Sequence, residues 1–311
     1  MSHNVAASIR ARLRNKAKPD GEDFQLLLAR YACERFLYRL GESPARNRCI
    51  LKGASLLTVW MDAPYRATRD IDLAAHGPSN EAAVLAIIEA ICGVGCPEDG
   101  LTFDFTSVKT CSIQGQGGYA GRRARLWASL GAARIRVQVD FGFGDAVIPE
   151  PEETPMPTIL DRMPAPVLRV YSPVTTIAEK FEAMVQLEHR NSRMKDFNDI
   201  WMLSEVLALD GDSLRQAIIR CFDRRRTDLT SETPAVLTAA FYSSTNMQSM
   251  WRRHLEREAF IAAPPESFAI IGERIQDFLA PVRQSISHGS RFNMHWPAGG
   301  PWRSRPPHGV V

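Results

Sequence analysis

Arg69-Asp70-Ile71-Asp72-Leu73 decides the reading of this chain, with Asp70 seventeen residues beyond Gly53 of Leu51-Lys52-Gly53-Ala54-Ser55-Leu56-Leu57. On a β-strand successive side chains alternate faces, so Asp70 and Asp72 point one way while Ile71 and Leu73 point the other. One face is built to bind and the other to pack. The small-residue turn upstream opens an apolar helical stretch, where backbone amides and the positive end of a helix dipole favour phosphate oxygens. Two carboxylates beside such a turn predict divalent-metal and nucleoside triphosphate chemistry. An Asp-x-Asp pair alone fits a solvated strand end equally well, so the surrounding elements carry the weight.

Nucleotidyl transfer commonly uses a pair of metals, which calls for a third acid from a neighbouring strand. Asp140 supplies one. It lies in the alternating run Ala133-Arg134-Ile135-Arg136-Val137-Gln138-Val139-Asp140-Phe141, a predicted strand with Ile135, Val137, Val139 and Phe141 on one face. Asp140 then shares the other face with Arg134, Arg136 and Gln138.

Lys52-Gly53-Ala54-Ser55, followed by Arg66-Ala67-Thr68-Arg69-Asp70-Ile71-Asp72-Leu73, resembles the first motif of the AbiEii/AbiGii nucleotidyltransferase toxins. These are minimal relatives of the DNA polymerase beta superfamily. The resemblance continues through Ser172-Pro173 to Glu179-Lys180-Phe181-Glu182-Ala183 and then Lys195-Asp196-Phe197-Asn198-Asp199-Ile200, and spans about residues 48 to 205. Three motifs in order are more specific than any one alone. Ala54 is a departure, since the superfamily has glycine or serine directly after the first glycine.

The resemblance implies an α+β fold: a polymerase-beta-like nucleotidyltransferase lobe with a mixed sheet flanked by helices, plus a C-terminal helical-bundle lobe. It implies a type IV toxin with a cognate antitoxin, akin to the mycobacterial tRNA-modifying toxins. The reaction expected is transfer of a nucleoside monophosphate from an NTP to an RNA acceptor, a tRNA 3′ end in the characterised branch. Magnesium or manganese would be held by Asp70, Asp72 and Asp140. Lys180 and Asp196 join these acids as expected catalytic residues. Lys52, Gly53, Ser55, Arg66, Arg69, Arg190 and Arg193 are the expected nucleotide contacts.

Each of these residues has a plainer reading. A lysine on a helix, as Lys180 is, most often faces solvent, and Asp196 in a first helical turn can simply oppose the dipole. Asp196 and Asp199, at i and i+3, share one helical face, and Asp199 reads as structural, orienting Lys180 or Lys195. Arg66 and Arg69 fit a phosphate clamp or ion pairs with Asp62 or Asp70. Two other functions also fit the sequence: a nucleotidyltransferase acting on a protein or small molecule, and a nucleotide- or RNA-binding module without turnover.

The 311 residues, 45% hydrophobic, suffice for a substantial core in two lobes. The expected divisions are 1–150 for the catalytic lobe, 151–173 for a proline-rich connection, 174–282 for the helical lobe and 283–311 for a disordered basic tail. Net charge is +3, and only six lysines stand among the 38 basic residues. Arginine suits bidentate phosphate binding, and mild basicity permits a nucleic-acid partner without demanding one. Cysteines at 33, 49, 92, 96, 111 and 221 lack the spacing of a zinc site or a disulfide scaffold and read as reduced thiols. The start, with Arg10, Arg12 and Arg14, lacks a signal-peptide core, and no apolar run matches a membrane span, so a cytoplasmic protein is expected.

Along the chain, apolar spacing predicts a helix over 22–40, a short strand at Cys49–Leu51, helices over Ser55–Met61 and Ser79–Ile91 with Ser79 as cap, and strands near 101–109 and 122–130. Gly115 to Gly121 reads as a hairpin turn rather than a phosphate cradle, because a strand and not a helix follows it.

Overall fold

Strict alternation in Ala133–Phe143 places Ile135, Val137, Val139, Phe141 and Phe143 in the core and leaves Arg134 and Arg136 exposed. That period-two pattern makes it a central strand, β5, in the computed structural model of the protein. The structure describes residues 2–61, 70–114, 120–144, 147–258, 260 and 263–305. Two compact units arise, Met1–Asp145 with Pro151–Tyr171, and Ala146–Glu150 with Ser172–Val311.

The first unit is a seven-stranded mixed sheet in the order β3-β4-β5-β2-β1-β7-β6. Its strands are β1 (Cys49–Lys52), β2 (Asp70–Ala75), β3 (Leu101–Gln114), β4 (Ala120–Leu130), β5, β6 (Glu152–Pro155) and β7 (Val167–Val170). β2 runs parallel to β5 and β1 parallel to β7, while the other pairs are antiparallel. Helices α1 (Ser2–Asp20), α2 (Phe24–Glu42) and α4 (Glu81–Cys92) pack on the sheet. Asp23 caps α2 by accepting from the Leu26 amide, and Leu27, Leu28, Tyr31, Phe36 and Leu40 form its buried stripe. Asn80, not Ser79, caps α4, accepting from the Ala83 amide.

A buried charge cluster ties α2 to the turn before β3. Asp99 is fully buried and accepts from Arg35 Nε at 3.2 Å, Arg39 Nη1 at 2.6 Å, Arg39 Nη2 at 3.1 Å and the Leu101 amide at 2.9 Å. Removing the shared acid would strand two buried guanidinium groups.

The proline-rich stretch differs from a plain connection. β6 and β7 complete the sheet, with Pro155 and Val167 as a terminal pair and the Met156 amide donating to the Pro166 carbonyl. Prolines are tolerated there because they sit on the edge strand or outside the strand ends.

The second unit contains α5 (Pro173–Leu187), α6 (Met194–Val206), α7 (Gly211–Arg225), α8 (Ala239–Ser243), α9 (Thr245–Arg257) and α10 (Phe268–Ser287). Phe197, Phe241, Tyr242, Trp251 and Phe268 form an aromatic cluster within it. A small sheet orders β8 (Leu209–Asp210), β9 (Met294–Trp296) and β10 (Arg303–Ser304) as β10-β9-β8. The stretch expected as a disordered tail is therefore built into the fold as far as residue 305. Trp296 is the reason: it is fully buried, donates to the Ser204 carbonyl at 2.7 Å and packs on Phe278 and Trp302. Among the described residues, no helix is long and apolar enough to cross a membrane.

Candidate active site

Backbone register creates the acidic face. Asp72 lies side by side with Asp140 across the parallel β2–β5 pair, Asp70 with Gln138, and Lys52 of β1 opposite Asp72. Paired residues share a sheet face, so Lys52, Asp70, Asp72, Gln138 and Asp140 all project the same way. Asp70 is exposed and Asp72 and Asp140 are half-buried, whereas Ile71, Leu73, Val139 and Phe141 are buried on the reverse face.

Gly53 is fixed by this geometry. Its φ of +76° is left-handed, and a Cβ there would overlap the Asp72 carboxyl group, lying 2.9 Å from its Cβ and Cγ. The turn and the carboxylate therefore define each other. Past Gly53 the chain makes a 3-10 turn, Gly53–Leu56, and then a single helical turn, α3 (Leu57–Trp60). The helix expected over Ser55–Met61 is thus mostly a tight turn, and Ser55 lies within it, half-buried. The Lys52 ammonium lies 5.5 Å from the centre of the Tyr171 ring. Arg66 and Arg69 lie outside the described residues, as does Gly115–Tyr119 of the expected hairpin turn; β3 and β4 around it do pair antiparallel, as far as Gln114 with Ala120.

Arg123 of β4 stands directly opposite Asp140 and grips it with a two-pronged fork, Nε to Oδ1 at 2.7 Å and Nη2 to Oδ2 at 2.6 Å. The Asp140 hydrogen bonds, reinforced by the charges of Asp140 and Asp70, outweigh desolvation and raise the Arg123 pKa above the usual arginine value. Next along the strands, Arg125 Nε donates to Gln138 Oε1 at 2.9 Å. Arg123 was not singled out in the sequence. The signal available was the polar alternation Arg123, Arg125, Trp127 within the predicted strand.

An all-oxygen donor set of closely set carboxylates suits a hard divalent cation. Among the described residues, no three His, Cys, Asp or Glu side chains form a group that could hold an ion as they stand. Asp70, Asp72 and Asp140 are the carboxylates of this face that would hold such a cation, with Asp140 gripped by Arg123.

In the second unit, Lys180 of α5 donates to Asp196 Oδ1 at 3.0 Å and Asp199 Oδ2 at 2.8 Å, both from α6. Arg193 Nε lies 2.6 Å from Asp196 Oδ2. Asp196 and Asp199 are fully buried, and Lys180 is 11% exposed. α6 has no side-chain cap, so the first-turn Asp196 serves Lys180 and Arg193. Asn191, also buried, shapes the preceding loop by accepting from the Arg193 amide at 2.7 Å, while Arg190 is exposed.

None of the six cysteines forms a disulfide, and only Cys111 is exposed. Burial raises the thiols of Cys33 and Cys49 to about 12 and Cys92 to about 11.

Fold and acidic face agree with the nucleotidyltransferase class that the family match shows. The family described as nucleotidyl transferase AbiEii toxin, type IV toxin–antitoxin system, matches residues 35–279, and the chain belongs to that family. Among solved structures, MenT4, a nucleotidyltransferase toxin from Mycobacterium tuberculosis H37Rv, is similar at 16% identity, with a TM-score of 0.54, over 90% of this chain and 92% of that one. At that identity the likeness speaks to the fold. A putative nucleotidyltransferase from Helicobacter pylori has 12% identity and a TM-score of 0.47, over 86% of this chain and 96% of that one. The H. pylori protein JHP933 has 12% identity and a TM-score of 0.42, over 86% and 98%. No curated protein matches the chain. Membership of a type IV toxin–antitoxin family implies an NTP substrate and an antitoxin partner.

Proposed function

We propose that this chain transfers a nucleoside monophosphate from an NTP to an RNA acceptor, a tRNA 3′ end, with a divalent cation bound at Asp70 and Asp72. The observation that carries this reading is the register of Asp72 beside Asp140, with Asp70 on the same face and Gly53 closed against the Asp72 carboxylate. The acceptor hydroxyl oxygen forms a bond to the α-phosphorus, the bond from that phosphorus to the β-bridging oxygen breaks, and pyrophosphate leaves. Asp140 takes the hydroxyl proton, which requires Arg123 to release it. Magnesium or manganese, when bound, supplies positive charge to the phosphates.

The turn at Gly53–Ser55 and the Lys52 ammonium meet the triphosphate oxygens, while Arg66 and Arg69 are proposed as phosphate clamps. Lys180, held in position by Asp196 and Asp199, is proposed as the catalytic lysine that the family motif implies. Arg190 and Arg193 are proposed contacts to base, ribose or phosphate. The site belongs to a toxin that acts in the cytoplasm by blocking translation.

The test incubates purified protein with magnesium, total bacterial RNA and each α-labelled NTP in turn, beside an Asp72→Ala control. Label on a tRNA-sized band, absent in the control, is expected. Label on protein or small molecules alone would assign a different acceptor, and absence of any transfer would overturn the reading.

A further inference from the structure

The acidic face does not stop at Asp140. Residues 101–144 hold six basic residues against two acids, a denser excess than the 38 against 35 of the whole chain. Register places five of the six on one face: Lys109 pairs with Arg125, Arg125 with Gln138 and Arg123 with Asp140, while Arg136 pairs with Trp127 and Arg134 shares the face two residues away. Lys109, Arg134 and Arg136 are exposed, and Trp127 is half-buried. The Arg134 guanidinium lies 4.3 Å from the Trp127 ring centre. Along β5 this face reads Arg134, Arg136, Gln138, Asp140, one side chain every ~6.6 Å, so the cations lead stepwise to the proposed base.

Like charges at this density repel one another and are sustained by a counter-charge. Asp104, the remaining acid of the segment, is opposite Trp127 and accepts from Thr106 Oγ1 at 2.6 Å. Regularly spaced cations beside an aromatic ring match the chemistry of single-stranded nucleic acid, in which phosphates take the charges and a base takes the ring face. A compact small-molecule acceptor would use none of the outlying cations.

We propose that the polar face of β3, β4 and β5 is a docking track for a single-stranded segment of the acceptor RNA. Its phosphates meet Lys109, Arg125, Arg134 and Arg136, a base stacks at Trp127, and the strand's terminal hydroxyl arrives at Asp140. The proposal rests on the reaction proposed above and adds where the acceptor lies.

The test is fluorescence anisotropy of a labelled single-stranded oligoribonucleotide of about twelve residues with the full chain, within the usual site sizes for such surfaces. The double variant Arg134→Glu/Arg136→Glu is compared with Arg252→Glu/Arg253→Glu, which makes the same charge change at exposed residues of α9. Thermal melting verifies that both variants fold. The first variant should bind RNA at least ~10-fold more weakly, with the slope of log affinity against log salt reduced by about 1.5 for two lost single-strand contacts. It should still bind NTP as the wild type does, and the α9 variant should bind RNA normally. Equal weakening by both variants, or no weakening by the first, overturns the track. If the wild type labels RNA and Arg134→Glu/Arg136→Glu labels it equally well, the track fails and the reaction stands. If the wild type neither binds nor labels RNA, both fall. Competition by duplex RNA as strong as by single-stranded RNA would overturn the single-stranded assignment.

Discussion

Asp70, Asp72 and Asp140 in the first unit and Asp196 and Asp199 in the second are candidate site carboxylates placed in different ways. Backbone places the first set: strand pleat, parallel register and the Gly53 turn aim the acids at one face, with Asp70 exposed. Side-chain pairing places the second: Asp196 and Asp199 are fully buried and bonded to Lys180, with Arg193 against Asp196. Acids placed by strand register line one sheet face, where Arg123 also grips Asp140. Acids held by buried partners stabilise their surroundings, and losing one leaves a charge uncompensated. On the proposed function, the first set touches substrate and the second positions another group.

Substitution at Asp72 should widen this contrast most. Asp72→Ala should cut nucleotidyl transfer by about 10³-fold, a transition-state cost of about 4 kcal/mol, while shifting stability by under about 1 kcal/mol. Transfer assays beside denaturant melts check it, and a large loss of stability would break the distinction. Asp196→Ala should show the reverse weighting, losing about 3 kcal/mol of stability because Lys180 and Arg193 lose a buried partner. Urea unfolding reads this out, and a melt indistinguishable from wild type would place Asp196 with the open acids.

Gly53→Ala sharpens the backbone side. Left-handed strain of about 1 kcal/mol is modest, but moving the Asp72 carboxylate should lower transfer by about 10²-fold. Unchanged activity would show that the turn does not set the acid. The smallest effect concerns thiols. Iodoacetamide at pH 8 should label Cys111 alone in the native chain, since Cys33, Cys49 and Cys92, with pKa values of about 12, 12 and 11, are almost wholly protonated there. Mass spectrometry of the peptides checks this, and early labelling of Cys33 or Cys49 would mean the sheet's packed face opens.

Local sequence carried much of this molecule. Period-two alternation in 133–141 and the Asp-x-Asp spacing were sufficient to place Asp70, Asp72 and Asp140 on polar strand faces, because a strand's side-chain direction depends only on parity. Motif order pointed to the family that the match over residues 35–279 shows. Helix α1 went unread, as did strands β6 and β7 in a proline-rich stretch whose prolines sit at strand ends. The 283–311 stretch looked like a tail because it lacks acids, yet Trp296 anchors it in the second unit.

What the sequence determined by itself is therefore what depends on neighbours one to four positions away: strand faces, helical stripes and the glycine beside the acids. Only the tertiary structure decided which residues meet across strands and helices. The Arg123 fork on Asp140, the Lys180 bridge to Asp196 and Asp199, and the Arg35–Arg39–Asp99 cluster join partners 16 to 64 positions apart. Register and packing set those pairings, and neither is fixed by local spacing, because a one-residue slip turns every side chain of a strand to the other face.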